Sequence, residues 1–92
     1  RGEWQISRVN AVLGFGEAAL RHANRCLDLC LSNNIADWDL AFAYEAISRA
    51  YLVLKDFNQM NMNKQKALEL CEVIKDKEDR DYTLEALEDL HE

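Results

Sequence analysis

The side chains able to do chemistry in this chain fall into a few small groups. His22, Cys26 and Cys30 recur every four residues, a spacing that lines them along one face of a helix. Such a row could begin a zinc or haem site, with Cys71 as the one further thiol. Structural zinc draws its four ligands from two chain segments, however, and small apolar side chains at helical spacing are what a packed helix interface needs. Cys serves there as a small buried hydrophobe, so we expect no metal and no cofactor. A Cys26–Cys30 disulfide would be strained, because helix geometry directs the two side chains badly even with Cα atoms about 6 Å apart.

For catalysis the chain offers His22 and His91, neither beside a glycine-rich nucleophile turn nor an acid in a recognisable motif. Asp37, Asp39 and Glu45 could be read as paired carboxylates. The first two stand where a helix is expected to start, and there negative charge complements the helix dipole without any chemistry. The expectation is a protein that is not an enzyme.

Composition narrows the class of partner. The 92 residues carry a net charge of −6, the opposite of the Lys and Arg concentration that nucleic-acid backbones select. Eight acids against three bases between Lys75 and Glu92 account for five of those six charges, so the body is nearly balanced. The acidic tail could dock a basic partner, but solvation of a last helix explains it more simply. Three Cys without a signal-like apolar run suggest free thiols in a reducing compartment. The richest apolar run, Leu40 to Leu54, contains Glu45 and Arg49 and falls short of a membrane span. A cytoplasmic protein is expected, with no nucleic acid and no membrane among its partners.

The elements follow from periodicity. With no Pro and all three Gly in the first sixteen residues, every local preference from Glu17 onward permits helix, and we read the chain as all-α. A first helix spans about residues 2–13 and stops where Gly14 and Gly16 can take positive φ. A second, about 16–31, carries a stripe of small residues, Ala19, Ala23, Cys26 and Cys30, that would let a neighbour approach closely. Asn34 with Asp37 resembles a capping arrangement, and Trp38 either plugs the space between the second and third helices or joins a contact surface. The third helix, to about Lys55, is apolar on more than one side and is expected to be central. A tight turn at Lys55, Asp56 and Phe57 leads into an antiparallel fourth helix ending near Lys75. After a charged link, DKEDRD, a last helix over 80–91 places Leu84, Leu87 and Leu90 on one side and caps the stack. Because the chain opens with Arg1 in what reads as mid-helix, an upstream part is expected.

Setting GFGEAALRHANRCLDLC against KDFNQMNMNKQKALELC aligns Ala19 with Met60, Ala23 with Lys64, Cys26 with Ala67 and Leu27 with Leu68, an offset of 41 residues. These residues resemble the tetratricopeptide repeat family, a helix-turn-helix of about 34 residues with small and large side chains at set places. In the better copy Tyr44, Ile47, Ser48, Ala50 and Tyr51 take the first-helix positions, Ser48 where the family prefers Gly. Asp56 and Phe57 take the turn, and Met60, Ala67, Leu68 and Leu70 the second helix. The weaker copy covers residues 1–30, with Ser7, Asn10 and Cys26 as its departures. The strings RGEWQISRVNAVLG and DWDLAFAYEAISRAY also look like a group of bacterial proteins with no assigned activity, which implies a bacterial cytoplasmic origin and an upstream helical extension.

The resemblance implies an α-α superhelix of about five helices, with repeat-like hairpins at 1–31 and 35–75 and a capping helix at 80–91. It also implies that the first helix of each pair lines a concave face, which places Trp4, Gln5, Arg8 and Val12 beside Glu45, Arg49, Leu52 and Val53. Arg8 and Arg49 would then stand at equivalent places, able to grip a carboxylate or phosphate bidentately beside Trp4. The plainer account pairs Arg49 with Glu45 one helical turn away, for roughly 0.3–0.5 kcal/mol, and leaves Arg8 solvated. On the anion reading, Arg49→Ala would remove a ligand-induced thermal shift without moving the unliganded melting point. The family's chaperone-tail binders use a Lys and Asn clamp at these positions that this chain lacks. The expected function is a protein or peptide interaction module, a scaffold or adaptor without catalysis. The alternatives are a self-associating helical domain, which would form a homodimer, and a receptor for a small anion at Arg8, Arg49 and Trp4.

Overall fold

The computed structural model describes residues 14–33 and 38–91, the side chain of Trp38 excepted, and they form four helices and no strand. These are α1 (Gly16–Ser32), α2 (Trp38–Val53), α3 (Phe57–Cys71) and α4 (Lys77–Glu88). The helix expected over 2–13, the Asn34–Asp37 cap and the packing of the Trp38 ring lie outside the described residues.

The small-residue stripe of α1 packs along α2 in reverse order. Ala19 meets Ala50, Ala23 meets Ala46 and Ile47, and Cys26 and Cys30 meet Ala43. Rising numbers on one helix against falling numbers on the other make the pair antiparallel, and every residue in this seam is buried. Side chains this short let two backbones approach closely, so the contact is made along most of both helices.

Why α2 ends where it does is local. Lys55 takes φ 63°, its N–H donates to the Leu52 carbonyl, and the Asp56 N–H reaches back to the Tyr51 carbonyl. This is the left-handed helix stop that glycine usually supplies. Asp56 then accepts from the Gln59 N–H as the N-cap of α3. With one stop and one cap in three residues, α3 folds straight back along α2, and the buried Ser48 hydroxyl donates to the Met60 carbonyl at 2.7 Å. Helix α2 lies between α1 and α3, and its residues 41–43, 45–48 and 50 are all buried.

Helix α4 begins at Lys77, inside the stretch expected to be a charged link. The Asp76 side chain accepts from the Asp79 N–H, with Glu78 and Asp79 in the first turn beside the dipole's positive end. The acids of DKEDRD therefore start the helix, which also ends earlier than expected, at Glu88. Its buried side, Thr83, Ala86 and Leu87 with Leu90 beyond the end, closes over Ala41, Ala67, Cys71 and Ile74.

The two glycines near α1 differ in role. Gly14 adopts φ +81°, as a helix stop requires. Gly16 has no positive φ; a Cβ there would stand 2.8 Å from the Leu54 side chain, so it serves close approach instead.

Candidate functional site

Half of the face proposed from the repeat, Trp4, Gln5, Arg8 and Val12, lies outside the described residues. The other half belongs to α2, and α2 distributes it between neighbours. Glu45 has no exposed surface. Arg49 donates from Nε to Glu45 Oε1 at 2.8 Å, with Nη2 also 2.8 Å from that oxygen and 3.2 Å from the Ala86 carbonyl oxygen of α4. Leu52 is half-buried against the cluster that holds Leu87 and Leu90. Val53 turns the other way, against Ala19 and Ala50. Of the four, Arg49 reaches α4, Glu45 is paired with it, Leu52 joins the cluster that α4 closes, and Val53 faces α1.

The plainer account of the pair was Glu45 with Arg49, and those are the partners observed, but the setting is an interior one. Side-chain exposure is 15% for Arg49 and 1% for Glu45, which removes the pair from the regime of surface ion pairs. Truncating one partner of a buried pair costs about 3–5 kcal/mol, since the other stays desolvated. Arg49→Ala should therefore lower the unliganded melting point by several degrees in a thermal melt, not leave it in place.

A second cation completes the arrangement. Lys64 of α3 donates from Nζ to the Leu90 carbonyl at 2.8 Å. Carbonyls at a helix C-terminus lack intrahelical partners and carry the negative end of the dipole. Arg49 and Lys64, from two different helices, supply donors and positive charge to the same end of α4. Lys64 was aligned with Ala23 in the repeat, and this exchange of a small residue for a long cation was the one signal in the sequence that this position does something different.

The thiols divide across α2. Cys26 and Cys30 lie on its Ala43 side and Cys71 on its Ala41 side, so the fourth position considered for a metal is separated from the other two by a helix. None is in a disulfide. Burial first, then the neighbouring Cys30, pushes the Cys26 thiol up to about 11. Burial and Asp39 raise Cys30, and burial raises Cys71. Thiols held neutral in this way are poor nucleophiles and serve as packing. Among the described residues no three His, Cys, Asp or Glu side chains converge as metal ligands. His22 is half-buried on α1 and His91 is exposed beyond α4.

An open depression at the start of α1 is lined by Phe15, Glu17, Ala18, Arg21 and Leu54. Among the described residues no helix is long and apolar enough to cross a membrane. Comparison with protein-family models, with curated proteins and with solved structures gave no match.

Proposed function

We propose that this chain is a protein- or peptide-binding module, a scaffold or adaptor without chemistry of its own, built as a tetratricopeptide-repeat-like α-α superhelix. The observation that carries this reading is the burial pattern at the 41-residue offset. Ala19 and Met60, Cys26 and Ala67, and Cys30 and Cys71 are buried pair by pair on α1 and α3, the two helices that flank α2. Two helices using the same code against one central helix is how a stacked repeat builds a layer, and such layers act through extended surfaces. Helix α4 packs on both α2 and α3, the position the next repeat or a capping helix would take. The lost exchange at Lys64 fits a terminal unit, because terminal repeats depart from the code where they are capped.

The partner-binding surface on this reading is the half of the proposed face formed by Trp4, Gln5, Arg8 and Val12, because Glu45, Arg49, Leu52 and Val53 are taken up by packing within the helices. Photo-crosslinking tests it. A photoreactive residue at position 8 should capture a defined partner in the source cell. The same residue at Asn24 or Gln65, both exposed on other faces, should not. Capture at 24 and 65 alone would remove the concave-face assignment, and capture at none would remove the module reading. The anion-receptor alternative loses ground because Arg49 Nε and Nη2 are engaged by Glu45 and Ala86.

A further inference from the structure

Cys26 and Cys30 stand one turn apart on α1, and positions four residues apart on a helix bring their Cβ atoms to about 5–6 Å. Both are buried, at 8% and 5% exposure, in one cluster with Ala43 of α2. The two thiols interact directly, each altering the other's hold on its proton. Half-buried Leu27 and Leu40 pack against the pair, and the remaining thiol, Cys71, is on the other side of α2. Two sulfurs without a third donor suit one kind of coordination. Zinc closes its sites with four ligands, and no three His, Cys, Asp or Glu side chains converge among the described residues. Soft d10 ions that prefer thiolate are satisfied by two, set in line.

Charge then selects among those ions. Two thiolates around a monovalent ion leave a negative charge in an apolar seam, whereas around a divalent ion they leave none. A buried charge without a partner is costly, and the negative charge of Asp39, which adds to burial in raising both thiols, makes an anionic complex costlier still. We propose that Cys26 and Cys30 form a two-coordinate site for the mercuric ion, a soft divalent ion that binds two thiolates in line. Binding breaks two S–H bonds, releases both protons to solvent and makes two Hg–S bonds. Coordination deprotonates a thiol outright, even one that burial keeps protonated when free. The ion is a ligand captured from outside and not a resident cofactor, so the same two thiols serve as packing until it arrives. Cys71, alone in its cluster at 1% exposure, offers a single sulfur and is the internal control. The inference rests on this pair and is independent of the partner reading above.

Titration of the full chain with mercuric chloride tests it, read by X-ray absorption, proton release and light scattering. One ion per monomer should bind with two sulfur neighbours and release two protons, with helix content retained. Cys26→Ala and Cys30→Ala should each weaken binding at least about a hundredfold, because a single thiolate replaces a pair held at high effective concentration. Cys71→Ala should leave binding unchanged. The proposal is overturned if the Cys26→Ala variant binds as tightly as the parent, or if mercuric ion unfolds the α1–α2 seam. It is equally overturned if the two sulfurs come from two chains, seen as a metal-dependent dimer. Proton release, coordination and mass are all read on the unaltered chain, so the outcome does not depend on any variant folding.

Discussion

Against α1, helix α2 sets Ala43, Ala46, Ile47 and Ala50 on Ala19, Ala23, Cys26 and Cys30. Against α4 it sets Ala41, Phe42 and Arg49 on Leu87, Tyr82 and the Ala86 carbonyl, with the Phe42 and Tyr82 ring centroids 5.6 Å apart. The first contact is long and made of side chains too short to move, so it has no room for added volume or charge. The second is short and made of a few large anchors and two cation-to-carbonyl bonds, so it is lost in discrete steps. One helix thus has a long contact of small side chains on one side and a short contact of large anchors on the other.

The largest effect should come from charging the first contact. Ala50→Glu puts a carboxylate where Ala50 has no exposure, opposite Ala19, and should cost more than about 4 kcal/mol, enough to unfold a domain of this size at 25 °C. Circular dichroism checks this, and a variant melting within a few degrees of the parent would mean the seam is not the core. Leu87→Ala should cost about 3 kcal/mol by leaving a cavity under α4. Its mark would be uneven, with amide protection falling in α4 well before the α1–α2 seam. A uniform fall would merge the two regions into one cooperative unit.

Alkaline titration separates the two sides by their thiols. Cys26 is pushed from 9.0 to about 11, so the folded state keeps its proton where the unfolded chain has lost one. Stability from this group is full below pH 9 and declines between pH 9 and 11, by on the order of 2 kcal/mol. Urea midpoints across that range should show Cys26→Ala flattening the alkaline limb. A limb unchanged in that variant would move the cause to Cys30 or Cys71. The smallest effect is a gain. Lys55→Gly relieves the φ of 63° at the end of α2 and should stabilise the chain by about 1 kcal/mol, alike on both sides of the helix.

Much of the fold could be read in residue spacing. The step of three and four along Ala19, Ala23, Cys26 and Cys30 specifies one narrow face, and the same step marks Met60, Ala67 and Cys71, because helical periodicity is a property of the local chain. The reading of the cysteines as packing came from the same source. The charged stretch DKEDRD misled, since acids suit a helix start as well as a solvated link, and only the Asp76 bond to the Asp79 N–H separates the two. The candidate site was legible only in part. The repeat resemblance put Glu45, Arg49, Leu52 and Val53 on one face of α2, but Val53 packs against Ala19 and Ala50 while Arg49 reaches the Ala86 carbonyl. What the Arg49 side meets was not legible, because α4 approaches from 37 residues away in sequence, at the Arg49–Ala86 bond.

The amino-acid sequence by itself determined the all-helical character, the central place of α2 and the small-residue seam, all consequences of period and side-chain size along short stretches. Tertiary structure alone decided that Gly16 makes room for Leu54, that Lys64 reaches the Leu90 carbonyl, and that Glu45 and Arg49 are sealed beneath α4. Those depend on which distant surfaces come together, and that choice rests on the summed burial of several helices, which no local pattern records.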